Sequence, residues 1–238
     1  MINRIFTGID FFDKDVAGLF QYGTYLFCGE AEVGKTVLTS RFLVEGLKKE
    51  EMCLFITAKN ASVYLNDIQN SLGFDFSIYL QKGLFNILLY EKPEEEVFAN
   101  VQQYIGELSL FVHKLGVERL VIDFSTVMEL LDESKLEEEV REFAKALENL
   151  HVSTLLVLET PRSPAMYQAE QQLIKETIGA FKLTKMSSEE NKKFYHMETV
   201  KISGRFPPLP VWDFAIYKRE GPVLLKIDKL SYTDIKVN

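Results

Sequence analysis

Cysteine, histidine and tryptophan are scarce in this sequence, and their scarcity argues against several classes of protein. The 238 residues include 2 cysteines, 3 histidines and 1 tryptophan. Cys28 and Cys53 each lie in an apolar run, so we predict buried free thiols rather than a disulfide framework. His113, His151 and His196 are widely spaced, and the sequence has no CxxC pair. A metal site built from histidine and cysteine is therefore not expected.

Long hydrophobic runs are also missing. No window approaches the roughly 18 uncharged apolar residues that a membrane-spanning helix needs. The N-terminal stretch MINRIFTGIDFF lacks the apolar core of a secretory signal peptide. These two absences predict a cytoplasmic protein with no membrane insertion.

An excess of positive charge is the third feature that the sequence lacks. It has 27 lysines and arginines against 35 aspartates and glutamates, a net charge of −8. Proteins that bind duplex DNA usually carry a basic stripe, because neutralising phosphates supplies most of their non-specific affinity. Here the basic residues are scattered among more numerous acids, so nucleic acid is not the expected partner.

What the sequence does contain is enough apolar material for one core. The apolar share is 47%, and no low-complexity stretch or repeat divides the chain. We therefore predict a single domain over residues 1–238. Short apolar runs alternate with segments of helical spacing. The predicted buried strands are Thr24–Cys28, Cys53–Ala58, Leu84–Tyr90, Arg119–Phe124 and Ser153–Glu159.

The order of these elements predicts the fold class. Near-continuous apolar strands that alternate with helices are typical of a parallel sheet covered on both faces. After a loop and a short helix the pattern changes to consecutive strands, KKFYHMETVKIS, VWDFAIYK and PVLLKID. The predicted fold is therefore α/β, a mostly parallel central sheet with helices on both faces and a C-terminal antiparallel extension.

Two helix starts are predicted from their capping signals. Pro93, followed by Glu94–Glu96, suits the first turn of a helix that runs to about Lys114. That acidic cluster therefore indicates a helix start rather than a metal site. Ser134 and Glu137 together predict a capping box before the next amphipathic helix.

The stretch GEAEVGKT, Gly29–Thr36, fits the phosphate-loop pattern GxxxxGK[ST] and lies between a predicted strand and a predicted helix. In such a loop, backbone N–H groups face the phosphates and the helix N-terminus adds a positive field. Lys35 is expected to bind the β- and γ-phosphates, and the Thr36 hydroxyl to bind Mg²⁺. The predicted nucleotide-binding residues are Gly29, Glu30, Ala31, Glu32, Val33, Gly34, Lys35, Thr36, Val37 and Asp123.

Asp123 is the predicted second ligand of the Mg²⁺ shell. It ends the apolar run RLVIDF, and the carboxyl edge of a parallel strand adjoins the ligand crevice of such sheets. The alternative is a strand-end aspartate that caps the next turn. Glu30 and Glu32 add negative charge beside the phosphates, so we expect ATP to bind with modest affinity.

The stretch Phe6–Thr36 resembles the opening of the KaiC-like branch of the RecA superfamily. That opening has a TGI-x-x-hydrophobic-D motif and two glycines before the strand and the P-loop. The matching residues are Thr7, Gly8, Ile9, Asp13, Gly18 and Gly23. The resemblance continues over essentially the whole chain. It implies a RecA-like P-loop ATPase core that binds ATP and Mg²⁺, and a homo-oligomer, with a hexamer as the first expectation. The family includes the circadian-clock ATPase KaiC and the archaeal motility-motor ATPase FlaH.

The sequence departs from this family at two places that bear on catalysis. After the second core strand the family has two glutamates, one of which polarises the attacking water. In this sequence the two positions are occupied by Lys59 and Asn60. A charged lysine cannot accept a proton, and asparagine is a very poor base. Glu159 and Glu32 are the other carboxylates considered as the base.

The second departure is in the family's Lys-x-Arg-Gly element, which binds the γ-phosphate of a neighbouring subunit. Lys201 and Gly204 match this element, but Ser203 replaces its arginine. Losing an arginine finger costs several powers of ten in turnover. The resemblance leaves two alternatives for Lys201, contact with a neighbouring subunit's ATP in trans or a solvated strand lysine. Whether Arg205 replaces the arginine also stays open.

The leading hypothesis is an ATP-binding regulatory or scaffold protein with slow or absent hydrolysis, whose nucleotide state controls assembly or an unidentified protein partner. One alternative is an active ATPase motor or signalling enzyme with a non-standard base. A DNA-recombinase paralogue is disfavoured by the acidic balance and by the lack of a basic stretch studded with aromatic residues. A small-molecule kinase ranks last, since its lid would be rich in arginines and TPRSPAMYQAEQQ offers only Arg162.

Overall fold

The computed structural model describes residues 3–58, 60–90, 100–160, 163–187 and 193–225. Its strands are β1 (Arg4–Ile5), β2 (Leu19–Phe20), β3 (Thr24–Gly29), β4 (Cys53–Thr57), β5 (Phe85–Leu89), β6 (Arg119–Asp123), β7 (Ser153–Glu159), β8 (Gly179–Ser187), β9 (Lys193–Ile202), β10 (Val211–Tyr217) and β11 (Gly221–Leu224). Its helices are α1 (Asp10–Val16), α2 (Lys35–Leu47), α3 (Ala61–Leu72), α4 (Ser77–Gln81), α5 (Val101–Leu115), α6 (Ser125–Met128), α7 (Leu136–Asn149) and α8 (Pro164–Glu176).

A sheet of 9 strands organises these elements, in the order β11-β10-β9-β8-β3-β7-β6-β4-β5. From β8 to β5 the neighbouring strands pair in parallel. From β8 to β11 they pair antiparallel. β1 and β2 form a separate antiparallel pair. The α/β fold, the mostly parallel sheet and the C-terminal antiparallel extension are thus confirmed.

The sheet is covered on both faces because its central strands are apolar at successive positions, and successive side chains point to opposite faces. Phe27 of β3 packs in one core cluster with residues of α1, α2 and α3. Its neighbours Leu26 and Cys28 pack in the other, with residues of α5, α7 and α8. Cys28 and Cys53 are both buried and free, as predicted. Within the described ranges, no helix is long and apolar enough to cross a membrane.

Three local predictions are wrong. The helix that ends at Leu115 begins at Val101 rather than at Pro93, which lies outside the described residues. Asn100 caps it, because its side-chain oxygen accepts a hydrogen bond from the Gln103 amide at 2.9 Å. The helix after Glu159 is not short, because α8 has 13 residues.

The third wrong prediction is the capping box of Ser134 and Glu137. Asp132 caps this region instead, and its Oδ1 accepts hydrogen bonds from the amide and the hydroxyl of Ser134 at 2.9 and 2.7 Å. Oε2 of Glu139 accepts from the Asp132 amide at 2.8 Å. A 3-10 turn, Glu133–Lys135, therefore comes before α7.

Candidate nucleotide-binding site

Asp13 holds the segment before α1 in place. Its two carboxylate oxygens accept hydrogen bonds from the amides of Thr7 and Gly8 at 2.9–3.0 Å, and from the Thr7 hydroxyl at 2.9 Å. Burial raises the pKa of Asp13, while these hydrogen bonds oppose the rise. Gly8 lies against α2, where an added Cβ would be 3.1 Å from the Arg41 carbonyl oxygen. These motif residues therefore pack the N-terminal segment against the helix that follows the phosphate loop.

The phosphate loop connects β3 to α2 through backbone conformations that favour glycine. Gly29 has φ +152°, and an added Cβ there would be 2.3 Å from the Leu183 carbonyl oxygen, so no side chain fits. Gly34 has φ +87° and is the N-cap of α2. Glu32 is also left-handed, with φ +60°. Glycine or left-handed backbone at these three positions is typical of phosphate loops, whose backbone N–H groups bind anions.

The positive N-terminal end of helix α2 lies at this loop. Among the described residues, neither a side-chain cap nor an acidic first-turn residue is found at its N-terminus. Lys35 is buried, and its Nζ donates to the carbonyl oxygens of Gly29, at 2.7 Å, and of Glu30. The loop, its lysine and the helix end therefore place positive charge together, as a phosphate-binding site requires.

A cleft of about 760 Å³ lies beside the loop. Its polar lining includes Lys35 and Thr36 on α2 and Asp123 and Glu159 at strand ends. The sheet register explains why these groups meet. Gly29 pairs with Glu159 across β3 and β7, and Asp123 pairs with Val157 across β6 and β7. Another part of the lining comes from α3 and the antiparallel extension and includes Val63, Tyr64, Asp67, Ile68, Asn70, Ser71, Tyr195 and Ile216.

The alternative prediction for Asp123, a strand-end aspartate that caps the next turn, is confirmed. Its Oδ1 accepts hydrogen bonds from the hydroxyl and the amide of Ser125 at 2.8 and 3.2 Å. A carboxylate has two oxygens and about four acceptor positions, so one cap is compatible with metal binding.

These residues fit a nucleoside triphosphate with Mg²⁺. A hydroxyl at Thr36 and a carboxylate at Asp123 are the hard oxygen ligands that Mg²⁺ prefers. Within the described ranges, no three His, Cys, Asp or Glu side chains form a cluster that could hold a metal ion. That is the expected situation for Mg²⁺ sites, which use few protein ligands and share the metal with substrate phosphates.

The structure describes three of the four residues considered for the position of the catalytic base. The fourth, Lys59, lies outside the described residues. Asn60 is the N-cap of α3, and its side-chain oxygen accepts hydrogen bonds from the amides of Ser62 and Val63 at 2.9 and 3.4 Å. Glu32 and Glu159 both line the cleft.

Lys201 and Arg205 each bind a helix C-terminus in their own chain. Lys201 Nζ donates to the carbonyl oxygens of Ile174 and Lys175, at the end of α8, at 3.0 and 2.6 Å. Burial lowers the pKa of Lys201. Arg205 donates to the carbonyl oxygens of residues 15 and 16, at the end of α1, at 2.8 Å each. Arg162 lies outside the described residues.

Sequence reasoning missed the side of the cleft built by α3. Tyr64, Ile68 and Leu72 are its buried residues, and their spacing of four is a helical signal that could have located the helix. That Tyr64 and Ile68 line the candidate cleft has no local signal, because it depends on how α3 packs against β4 and α2.

The fold and the site together define a RecA-like P-loop nucleotide-binding protein. A family model described as "ATPase: KaiC" matches residues 5–228. The chain belongs to the KaiC ATPase family, whose members bind nucleotides, usually with Mg²⁺.

Individual relatives are distant in sequence. The crystal structure of the KaiC-like protein PH0186 from Pyrococcus horikoshii has a TM-score of 0.77 and 23% identity, and the match covers 94% of this chain and 100% of that chain. UPF0273 protein PH0284 from the same species is 24% identical over 140 residues, which are 54% of this chain and 57% of that protein. The circadian clock oscillator protein KaiC of Picosynechococcus sp. is 29% identical over 121 residues, which are 50% of this chain and 23% of that protein. The matches thus span just over half of the first curated relative and about a quarter of the second.

Proposed function

We propose that this protein is an ATP-binding regulator or scaffold that hydrolyses ATP slowly or not at all, and whose nucleotide state controls assembly or a partner. The loop amides, the α2 N-terminus and Lys35 bind the phosphates, and Thr36 and Asp123 hold the metal. Bound Mg²⁺ neutralises charge on the phosphate oxygens.

The contrast between the cleft lining and position 60 carries the proposal. Phosphate-binding and metal-binding groups line it together, whereas position 60, where the family has a glutamate, is an amide that caps α3. An amide oxygen that accepts two backbone hydrogen bonds is poorly placed to orient water and is no base. This arrangement favours retention of the nucleotide over its cleavage.

A second candidate function is an active ATPase that uses Glu159 or Glu32 as its base. The observation that favours it is that both carboxylates line the same cleft as Lys35. Glu159 is the stronger candidate, because its strand position lies directly beside Gly29.

We also propose that residues 1–238 form a single domain that works in the cytoplasm as a homo-oligomer, with a hexamer as the first expectation. Family membership supports oligomerisation, since proteins of this family typically oligomerise. Lys201 then contacts the neighbouring subunit's nucleotide in trans. That contact requires Lys201 to release the two α8 carbonyls that it now binds, which makes the role conditional on assembly.

The test is phosphate release from Mg-ATP by three proteins. We expect wild-type protein to turn over far more slowly than about one per second, the low end for enzymes in general. Lys59→Glu/Asn60→Glu, which restores the family's two glutamates, should raise turnover at least tenfold. Lys35→Ala removes the phosphate-binding ammonium and serves as the blank.

Three outcomes are informative. Slow wild-type turnover that the double substitution increases supports the proposal. Brisk wild-type turnover that is lost in Glu159→Gln or Glu32→Gln establishes the second candidate. Wild-type protein that binds no more ATP than Lys35→Ala overturns both.

A further inference from the structure

A buried chain of hydrogen bonds joins α3 to the first turn of α2. Ser40 Oγ lies 2.6 Å from the Thr36 carbonyl oxygen and 2.7 Å from the Tyr64 hydroxyl. Ser40 is 0% exposed and Tyr64 is 3% exposed. These hydrogen bonds therefore connect the buried Tyr64 hydroxyl to the backbone of Thr36, the residue assigned to bind Mg²⁺.

The Thr36 carbonyl oxygen, the last acceptor in this series of hydrogen bonds, fixes the direction of each of them. A carbonyl oxygen only accepts, so the single proton of Ser40 must point at Thr36. Tyr64 must then donate to Ser40. Burial raises the pKa of Tyr64 far above neutrality, so the phenol keeps the proton that this arrangement needs.

Packing holds the Tyr64 ring in place. The ring lies 4.4 Å from that of Phe55 and 6.4 Å from that of Phe76, measured between centroids. Phe55 and Tyr64 both line the cleft. Because its aromatic neighbours restrict the ring, the hydroxyl is held at a defined distance from α2.

We propose that Tyr64 is a positioning residue for the metal: through Ser40 it fixes the first turn of α2 so that the Thr36 hydroxyl meets Mg²⁺ in the correct geometry. The proposal rests on the proposed function, in which Thr36 is a ligand of Mg²⁺. Mg²⁺ demands near-ideal octahedral geometry, whereas electrostatic attraction between phosphates, loop amides and Lys35 tolerates small shifts. Loosening this turn therefore weakens metal-dependent binding selectively.

The test compares ATP affinity with saturating Mg²⁺ and with EDTA, by calorimetry. Tyr64→Phe removes only the hydroxyl and keeps the ring. We expect its affinity for Mg-ATP to fall about threefold to tenfold, the range for one hydrogen bond, with affinity for metal-free ATP unchanged. Ser40→Ala should show the same selectivity, and the double variant should lose no more than the larger single loss, since both act through one chain.

Tyr25→Phe is the matched control. Tyr25 is also buried, and its hydroxyl accepts a hydrogen bond from the Phe20 amide at 2.7 Å, but it does not line the cleft. Loss of the Tyr25 hydroxyl should lower thermal stability and leave the Mg²⁺ dependence of ATP binding at the wild-type value.

The outcomes separate this inference from the proposed function. Wild-type binding with no change in Tyr64→Phe, or an equal loss with and without Mg²⁺, overturns the positioning role alone. A wild-type protein that does not bind Mg-ATP overturns both proposals. If Tyr64→Phe does not fold, Ser40→Ala provides the same readout, and metal-independent behaviour there overturns the inference.

Discussion

Among single residues, Glu32 has a backbone conformation that is unfavourable for stability and a charge that is unfavourable for binding phosphate. Its backbone is left-handed, which costs a non-glycine residue about 1 kcal/mol or more. Its carboxylate also lies on a loop built to bind anions. A phosphate-binding function therefore gains nothing from the charge at this position.

Replacing Glu32 by Gln should tighten ATP binding. The substitution removes the charge and leaves the backbone requirement unchanged. We expect affinity to rise roughly twofold to tenfold at low ionic strength, the size of one unit charge acting through a solvated path. Titration calorimetry at two salt concentrations measures it. Glu50→Gln is the control, because Glu50 is also exposed and left-handed but lies beyond the C-terminal end of α2. An unchanged affinity for Glu32→Gln would show that the charge points away from the phosphates.

His196 and Asp213 make a pH-dependent contribution to stability. His196 Nδ1 lies 2.7 Å from Asp213 Oδ1 across β9 and β10. This hydrogen bond, with some help from the nearby charge of Glu198, raises the pKa of His196 above its ordinary 6.5. A raised pKa means that the stabilisation is complete below the unfolded-state value and is lost as pH rises through the folded-state value.

Urea unfolding at about pH 6 and pH 8 tests this pair. Wild-type protein should exceed Asp213→Asn in stability at the lower pH, by less than about 1 kcal/mol because both groups are partly exposed. The difference should shrink at the higher pH. His113→Gln, on α5, should keep the wild-type profile. Parallel pH profiles for wild-type protein and Asp213→Asn would contradict the account.

At the scale of single elements, α8 ends against Lys201. The two carbonyl oxygens that this lysine binds belong to the last turn of the helix, where a cation is favourable. Lys201→Met keeps the stem's packing but removes the donors, so we expect the free energy of unfolding to fall by about 1 kcal/mol. Denaturant melts compare it with Lys182→Met, an exposed residue of β8. If both variants retain wild-type stability, these bonds are not stabilising.

Elements with strong local signals were predictable. The phosphate loop and the strand ending at Asp123 follow from short motifs and apolar runs, and both lie where the sequence put them. The capping box was wrong because Asp132, two residues before Ser134, competes for the same amide. Local patterns give no weight to such competition.

The α3 side of the site could not be derived in this way. Tyr64 and Ser40 are 24 residues apart, and their hydrogen bond exists only after two helices pack on the same face of the sheet. Tyr195 and Ile216 reach the cleft from the antiparallel extension, which only the assembled sheet brings near the loop. Long-range placement of this kind carries no signal in residue spacing.

At the scale of the whole molecule, the sheet brings a phosphate loop, a strand-end aspartate and a helix with an amide N-cap to one cleft. We propose that the family's nucleotide-binding residues are kept here while its proton-accepting position is replaced, so that the protein holds ATP as a structural signal.

If the protein holds ATP without cleaving it, bound ATP must persist, and a timed inventory of bound nucleotide shows whether it does. Purified protein is incubated with Mg-ATP, free nucleotide is removed at intervals, and ion-exchange chromatography identifies what stays bound, with Lys35→Ala as the blank. We predict that intact ATP remains on the wild-type protein throughout. Bound ADP with phosphate accumulating in solution would contradict the account and identify the protein as an active ATPase.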